Sequence, residues 1–371
     1  MAKKVRHVLG ISGGKDSAAL AIYMKDNYPE LDIEYYTADT GKELKETYQL
    51  INNLEVYLGK KIIKLRAFDK SPEAPFDHKL KSLGGFLPNT LNRWCTKSLK
   101  LDVFEKFVGT DPVISYVGIR GDELREGYIS TKETIQSIFP FRQNIWSEEI
   151  IKFVLDNKKI TALENLAKAH IKGDKLDRFI EILRFPVSEL YTREAKLKQL
   201  LELSTKDFNA VAYALLKLSS YPVALESHFP LIENEEILKL DDIFALLTKS
   251  GVGIPAYYKD IEFEVNGQRA TYNRSRSGCY FCFFQQKIEW IWLYEQHPEL
   301  FAEAMEYERS DFKWNMEESL AELIRPERVE AIKLDYIKRK HRTEKNKKSP
   351  KLRDILGSAD DVDLACASCF I

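Results

Sequence analysis

No uninterrupted apolar run in the 371 residues approaches the roughly 18 that a membrane-spanning helix needs, so a helical membrane protein is not expected. An excess of one charge is missing too. The chain has 56 Lys and Arg against 57 Asp and Glu, a formal net charge of −1. No whole-molecule field therefore draws it to nucleic acid, and any basic surface must be local. Cysteine is scarce. Five residues, an odd number in a chain of this size, argue against a disulfide framework and read as metal or redox residues. No export signal is expected, because an apolar strand pattern opens within a few residues of Met1; the expected compartment is the cytoplasm. The length allows a large core and two or three domains, and the apolar (44%) and charged (30%) fractions are those of a globular protein.

The most informative stretch is Ser12-Gly13-Gly14-Lys15-Asp16-Ser17. It follows Val5–Ile11, which reads as a buried strand, and precedes Ala18–Asn27, which reads as a helix. Two glycines let the backbone turn and approach a ligand closely. The N–H groups at the helix start, with the dipole behind them, favour an anion, and Lys15 adds a positive charge. These features predict a phosphate or pyrophosphate cradle. It is neither familiar phosphate loop, for the Walker spacing and Gly-x-Gly-x-x-Gly are both absent.

Downstream, Asp32–Ala38 reads as a second strand, ending at Asp39-Thr40-Gly41 before a helix over about Glu43–Leu58. In a doubly wound sheet this turn lies near the cradle. Asp39 could serve the ligand or cap the helix. Lys61–Leu65 and Val113–Gly118 read as further strands. Between them, Arg93, Cys95 and Lys97 make a candidate reactive site, since nearby cations favour a thiolate. A buried Cys beside a surface Lys is the alternative. Arg120 and Arg125 flank Asp122 and Glu123, so they form either an oxyanion fork or a surface ion-pair turn.

From Trp146 to about Leu247 the pattern is helical, with runs such as Glu194–Leu203 and Asn209–Leu218 and no chemical motif. Cys279-Tyr280-Phe281-Cys282 then has the spacing of a zinc knuckle, an iron–sulfur ligand pair or a dithiol. Cys95 and a final pair, Cys366 and Cys369, are the other cysteines. Lys287–Met305 reads as helix broken at Pro298, and its aromatics Trp290, Trp292, Tyr294 and Phe301 as core. Lys338–Lys351 is a basic run, either a solvated tail or a contact for nucleic-acid phosphates. The expected division is 1–145 as a nucleotide-binding α/β domain, 146–247 as a helical insertion, 248–310 as the Cys-x-x-Cys segment that completes the core, and 311–371 as a helical and basic C-terminal region.

Ser12–Ser17 resembles the PP-loop of the N-type ATP pyrophosphatases, Ser-Gly-Gly-x-Asp-Ser. The segment from Arg93 through Cys95 and Thr96 to Lys100 resembles the Arg-x-Cys-Thr-x-x-x-Lys of their PAPS reductase-like branch. Gly118–Arg125 is similar to that branch's Gly-x-Arg-x-x-Glu-x-x-Arg, with Arg125 arriving early. The resemblance covers Lys4–Arg125 and Gly251–Glu308. It implies an α/β, doubly wound, mostly parallel sheet of the adenine nucleotide alpha hydrolase-like kind. It further implies ATP and Mg²⁺, with Ser12, Gly13, Gly14, Lys15, Asp16 and Ser17 on the phosphates and Asp39 and Thr40 on the adenosine. Arg93, Lys97 and Arg120 would neutralise charge during adenylation of a substrate oxygen. The style of the cysteines is closest to the sulfurtransferases of DNA phosphorothioation. That implies a cysteine desulfurase as partner, DNA as substrate, and a [4Fe-4S] cluster or zinc on Cys95, Cys279 and Cys282, with Cys366 and Cys369 as further candidates. A thioredoxin-dependent sulfonucleotide reductase and a non-catalytic nucleotide-binding subunit are the alternatives.

Overall fold

A computed structural model describes residues 4–123, 130 and 132–347. Four strands lie inside the apolar stretches noted above: β1 (Arg6–Gly10), β2 (Ile33–Ala38), β3 (Ile62–Leu65) and β4 (Val113–Tyr116). A fifth, β5 (Ile135–Ile138), is not announced by the pattern. It is four residues long, and its middle pair, Gln136 and Ser137, interrupts the apolar run although both are buried. Gln136 is tolerated inside because its Oε1 accepts from the Val223 backbone N–H at 3.0 Å.

All five strands are parallel, in the order β3-β2-β1-β4-β5. His7 of β1 sits opposite Ile33 of β2 and Ile114 of β4, so β1 is the central strand. Such strands must be covered on both faces. Leu9 of β1 faces a core shared with α1 (Lys15–Asn27) and α2 (Lys45–Leu58). Val8 faces the other way, toward Phe104 and Val108 of a helix over Asp102–Val108. The chain is therefore α/β, with an arrangement compatible with a doubly wound sheet. The carboxyl ends of β1, β2 and β4 converge on one edge, where such sheets bind ligands.

The block 146–247 is helical, as its periodicity predicts. Its two runs meet in one helix, Arg193–Leu216, kinked at Ser204 (φ −169°, ψ 110°). Its apolar side chains are continuous with the α1 side of the sheet, from Ile150 through Phe208 and Leu231 to Leu247. A second core gathers a hairpin of β6 (Ile261–Val265) and β7 (Gln268–Tyr272) with helices Lys287–Gln296, Pro298–Glu306 and Pro326–Lys347. The hairpin turn, Asn266-Gly267, has positive φ at both residues (47° and 72°), a geometry these residue types favour. The helix break at Pro298 occurs as expected, and Trp290, Trp292 and Phe301 are buried, whereas Tyr294, also expected in the core, is exposed. This core also takes Phe76, Trp94 and Leu99 from the first half of the chain. It thereby ties the Cys-x-x-Cys segment to the sheet edge. Among the described residues, no helix is long and apolar enough to cross a membrane.

Candidate active site

The glycine-rich loop leaves the end of β1 and turns directly into α1. Gly13 has φ +73°, and a Cβ there would overlap Cγ2 of Thr47 on α2. A Cβ on Gly14, the N-cap, would come within 2.5 Å of Ser277 Oγ. Both positions therefore require glycine, one for conformation and space and one for space alone. The loop is stapled across its base: Ser17 Oγ accepts from the Ser12 N–H (3.1 Å), lies 3.1 Å from Ser12 Oγ, and donates to Gly14 O (3.2 Å). From the neighbouring strand, Gly118 approaches so closely that a Cβ would meet Asp16 O at 2.9 Å.

Lys15 and Asp16 are buried. Lys15 Nζ lies 3.2 Å from Asp16 Oδ2 and 4.9 Å from the ring centre of Tyr258. Asp16 Oδ1 accepts from Arg120 Nη1 at 2.7 Å, and Arg120 also pairs with Asp122 and Glu123, each at 2.9 Å. Burial pulls the Arg120 guanidinium down, but Asp16 and its neighbours outweigh that and raise it. The ion pairs of the turn alternative are present, and the Arg120 side chain, 12% exposed, is also held against the loop by Asp16.

Residues far along the sequence close over the loop. Tyr257 donates its hydroxyl to Gly13 O (2.9 Å), the Lys15 N–H donates to Tyr258 OH (3.4 Å), and Lys15 Nζ donates to Ser275 O (3.5 Å). No local sequence signal marks Tyr257 and Tyr258 for this role; only the packing of the second core brings them there.

The turn after β2 supplies the other wall. Asp39 Oδ1 accepts from the Gly41 N–H (2.9 Å) and Tyr48 OH (3.0 Å), so it closes the turn, whereas the N-cap of α2 is Leu44. The helix-cap alternative for Asp39 is therefore corrected. Thr40 Oγ1 donates to Glu43 Oε1 at 2.6 Å and lies 3.2 Å from Cys279 Sγ. Glu43 and Cys279 form a β-bridge, and the Tyr280 N–H donates to Lys42 O at 2.9 Å. Burial raises the Glu43 carboxyl, and Asp39 pushes the same way while the Thr40 hydrogen bond opposes. Burial likewise pushes the Cys279 thiol up, with Glu43 adding to it. The buried Arg274 donates through Nη2 to Cys279 O (3.2 Å) and Gln285 Oε1 (3.0 Å), which fixes the Cys-x-x-Cys turn.

Two adjoining cavities result. One is lined by Ser12, Asp39, Glu43, Tyr48, Lys64 and Lys100 among others. The second brings together Cys95, Cys279 and Cys282 with Thr40, Lys100 and an aromatic wall. Lys100 and Gly278 line both. The resemblance implies a charge-neutralising role for Lys97, which is exposed and lines neither cavity, whereas Lys100 lines both. Lys97–Leu101 forms a π-helical turn. The Lys at the end of the Arg-x-Cys-Thr-x-x-x-Lys pattern was the available signal. Arg93 is also exposed, its guanidinium 4.9 Å from the Phe284 ring centre.

Three cysteines share a cavity, yet no group of three or more His, Cys, Asp or Glu side chains among the described residues is arranged to hold a metal ion. Among the described residues the side chains therefore make no ready ligand set for a cluster or a zinc ion. Mg²⁺ asks less of the protein, usually one or two carboxylates beside substrate phosphates, and Asp39 faces the first cavity. Arg125, Cys366 and Cys369 lie outside the described residues.

No family model matches the chain. A stretch of 117 residues, 30% of the chain, is 35% identical to Uncharacterized protein MJ0066 of Methanocaldococcus jannaschii. That stretch is 22% of the relative's length, so the likeness is partial on both sides.

Proposed function

We propose that the chain is an ATP pyrophosphatase of the PP-loop, PAPS reductase-like kind that adenylates an acceptor oxygen for replacement by sulfur. The supporting observation is the shared wall: Lys100 and Gly278 border both the cavity beside the glycine loop and the cavity of three cysteines. A nucleotide and a sulfur-bearing thiol would thus be neighbours. The Gly13–Lys15 backbone, at the start of α1, and the Lys15 ammonium hold phosphate oxygens. Asp39 and Thr40 border the nucleoside, and Mg²⁺ when bound would offset phosphate charge beside Asp39. The acceptor oxygen attacks the α-phosphorus, the bond to the β-phosphate breaks, and pyrophosphate leaves. Sulfur then displaces AMP, which carries away the acceptor's oxygen. Lys100 and Arg120 supply the fixed positive charge that stabilises both steps.

With a persulfide from a cysteine desulfurase as donor, a second thiol must release the product, and a thioredoxin-like dithiol must reset the resulting disulfide. Three cysteines on one cavity can supply the first two roles. The acceptor proposed is nucleic acid, DNA in the first instance. The test is the product of ATP turnover with purified protein. AMP and pyrophosphate are expected. Phosphate and ADP would refute pyrophosphatase chemistry, and sulfite formed from a sulfonucleotide without ATP would assign a reductase instead.

A further inference from the structure

We propose that the aromatic cavity beside the cysteines seats an unpaired nucleobase of a nucleic-acid strand. The strand's adjoining phosphodiester is then left at the wall shared with the nucleotide cleft. The purpose of this site rests on the adenylation proposed above; the binding itself does not.

The cavity's inner wall is aromatic and buried, its ring planes 23° to 48° apart. Phe281 and Trp314 stack with ring centres 4.9 Å apart and planes 23° off parallel, and Phe76 lies 4.5 Å from Phe281. Phe283 and Phe284, half-buried and 4.3 Å apart, stand toward solvent on the same cavity. Such a lining suits a planar, uncharged ring and suits a phosphate poorly. Yet cations flank it. The Arg93 guanidinium lies 4.9 Å from the Phe284 ring centre, Lys97 is exposed four residues on, and Lys100 is on the cavity wall. Stacking rings beside a row of cations is how single strands are held: bases stack, and phosphates follow the positive charge. The chain's net charge of −1 makes this local row more telling, because no general attraction supplies it. A paired base cannot enter, since its faces and edges are already occupied, so the site selects unpaired or flipped-out nucleotides. A base seated there brings its own backbone beside Lys100, which also borders the cleft of the proposed adenylation.

The experiment uses the full chain without ATP and measures fluorescence anisotropy of labelled twelve-nucleotide DNA and RNA single strands against the same sequences as duplexes. Single strands are expected to bind at least about tenfold more tightly. Phe284→Ala is expected to weaken them by about fivefold or more, the loss of one stacked base. Arg93→Ala, at an exposed position, is expected to lower the salt dependence by about one counterion. Free nucleosides, and not ribose 5-phosphate, are expected to compete for the site. Equal affinity for strand and duplex, unchanged binding by both variants, or competition by ribose 5-phosphate alone would overturn the proposal. So would iron that fills the cavity, about four atoms per chain and lost in Cys282→Ser. Strand binding without pyrophosphate release would sink the adenylation and leave the base site standing; the converse would sink the base site alone.

Discussion

Gly13→Ala is the sharpest probe of the loop, because its cost divides into two parts that a second substitution separates. At φ +73° an alanine costs about 1–2 kcal/mol in backbone strain. Its Cβ would also overlap Thr47 Cγ2, so Thr47 or α2 must shift, for a further ~1–3 kcal/mol typical of overpacking. The expected total is about 2–5 kcal/mol in urea unfolding at neutral pH. Thr47→Ser removes the obstructing methyl and by itself costs about 1 kcal/mol or less. In the double variant the steric part should return and the strain part remain, a coupling of about 1–3 kcal/mol between neighbours. ATP affinity, by calorimetry, should fall in Gly13→Ala and recover only in part in the double variant. A Gly13→Ala protein within about 0.5 kcal/mol of the parent, or a double variant with purely additive costs, would refute the account of why this position is glycine.

Lys100→Ala should slow pyrophosphate release by about a hundredfold or more, as when a preorganised charge is removed, and far more than Lys97→Ala does. Equal effects would reverse the assignment made from the cavities. Glu318 is gripped by Arg328 (2.6 and 2.7 Å) and Lys287 (2.7 Å), and its carboxyl is held down to about 2, chiefly by Arg328. That stability is present above the unfolded value near pH 4.3 and is lost as pH falls toward 2. Glu318→Gln should therefore cost about 1–2 kcal/mol at pH 7, discounted for the half-exposed Arg328, with the gap closing below about pH 4. A gap that stays undiminished between pH 5 and pH 2 would contradict it. Cys279 should react with iodoacetamide far more slowly than free cysteine at pH 8, and Glu43→Gln should speed it, because burial and then Glu43 raise the thiol. Peptide mass spectrometry over a time course decides this.

Periodicity and punctuation announce much of the sheet. Four of the strands, the loop at the end of the first, and the helical block are legible because each follows a local rule. β5 is not, since a four-residue strand with Gln136 and Ser137 inside presents no pattern, and only the Val223 N–H across the packing makes that glutamine acceptable. The Ser12–Ser17 loop is legible as a glycine turn between the first strand and the first helix, but its environment is not. Asp39 closes a turn where helix capping is an equally good local expectation, and it is Lys100 rather than Lys97 that lines the cavities. The convergence of Cys95 with Cys279 and Cys282 is equally invisible locally, because it depends on a second core built around Phe76, Phe281 and Trp314. Sequence names residue types well; which of them meet is decided by packing between distant segments.

The hydrogen bond from Tyr257 to Gly13 O spans 244 positions of sequence. A ribosome adding about 5–20 residues per second emits Tyr257 roughly 12–50 s after the loop it completes. During that interval the first strands and helices can pair, yet the loop lacks the tyrosines and serines that roof it. The nascent chain thus carries its glycine loop unfinished, and the proposed nucleotide affinity should arrive late and abruptly during synthesis, once the segment through Ser277 has docked.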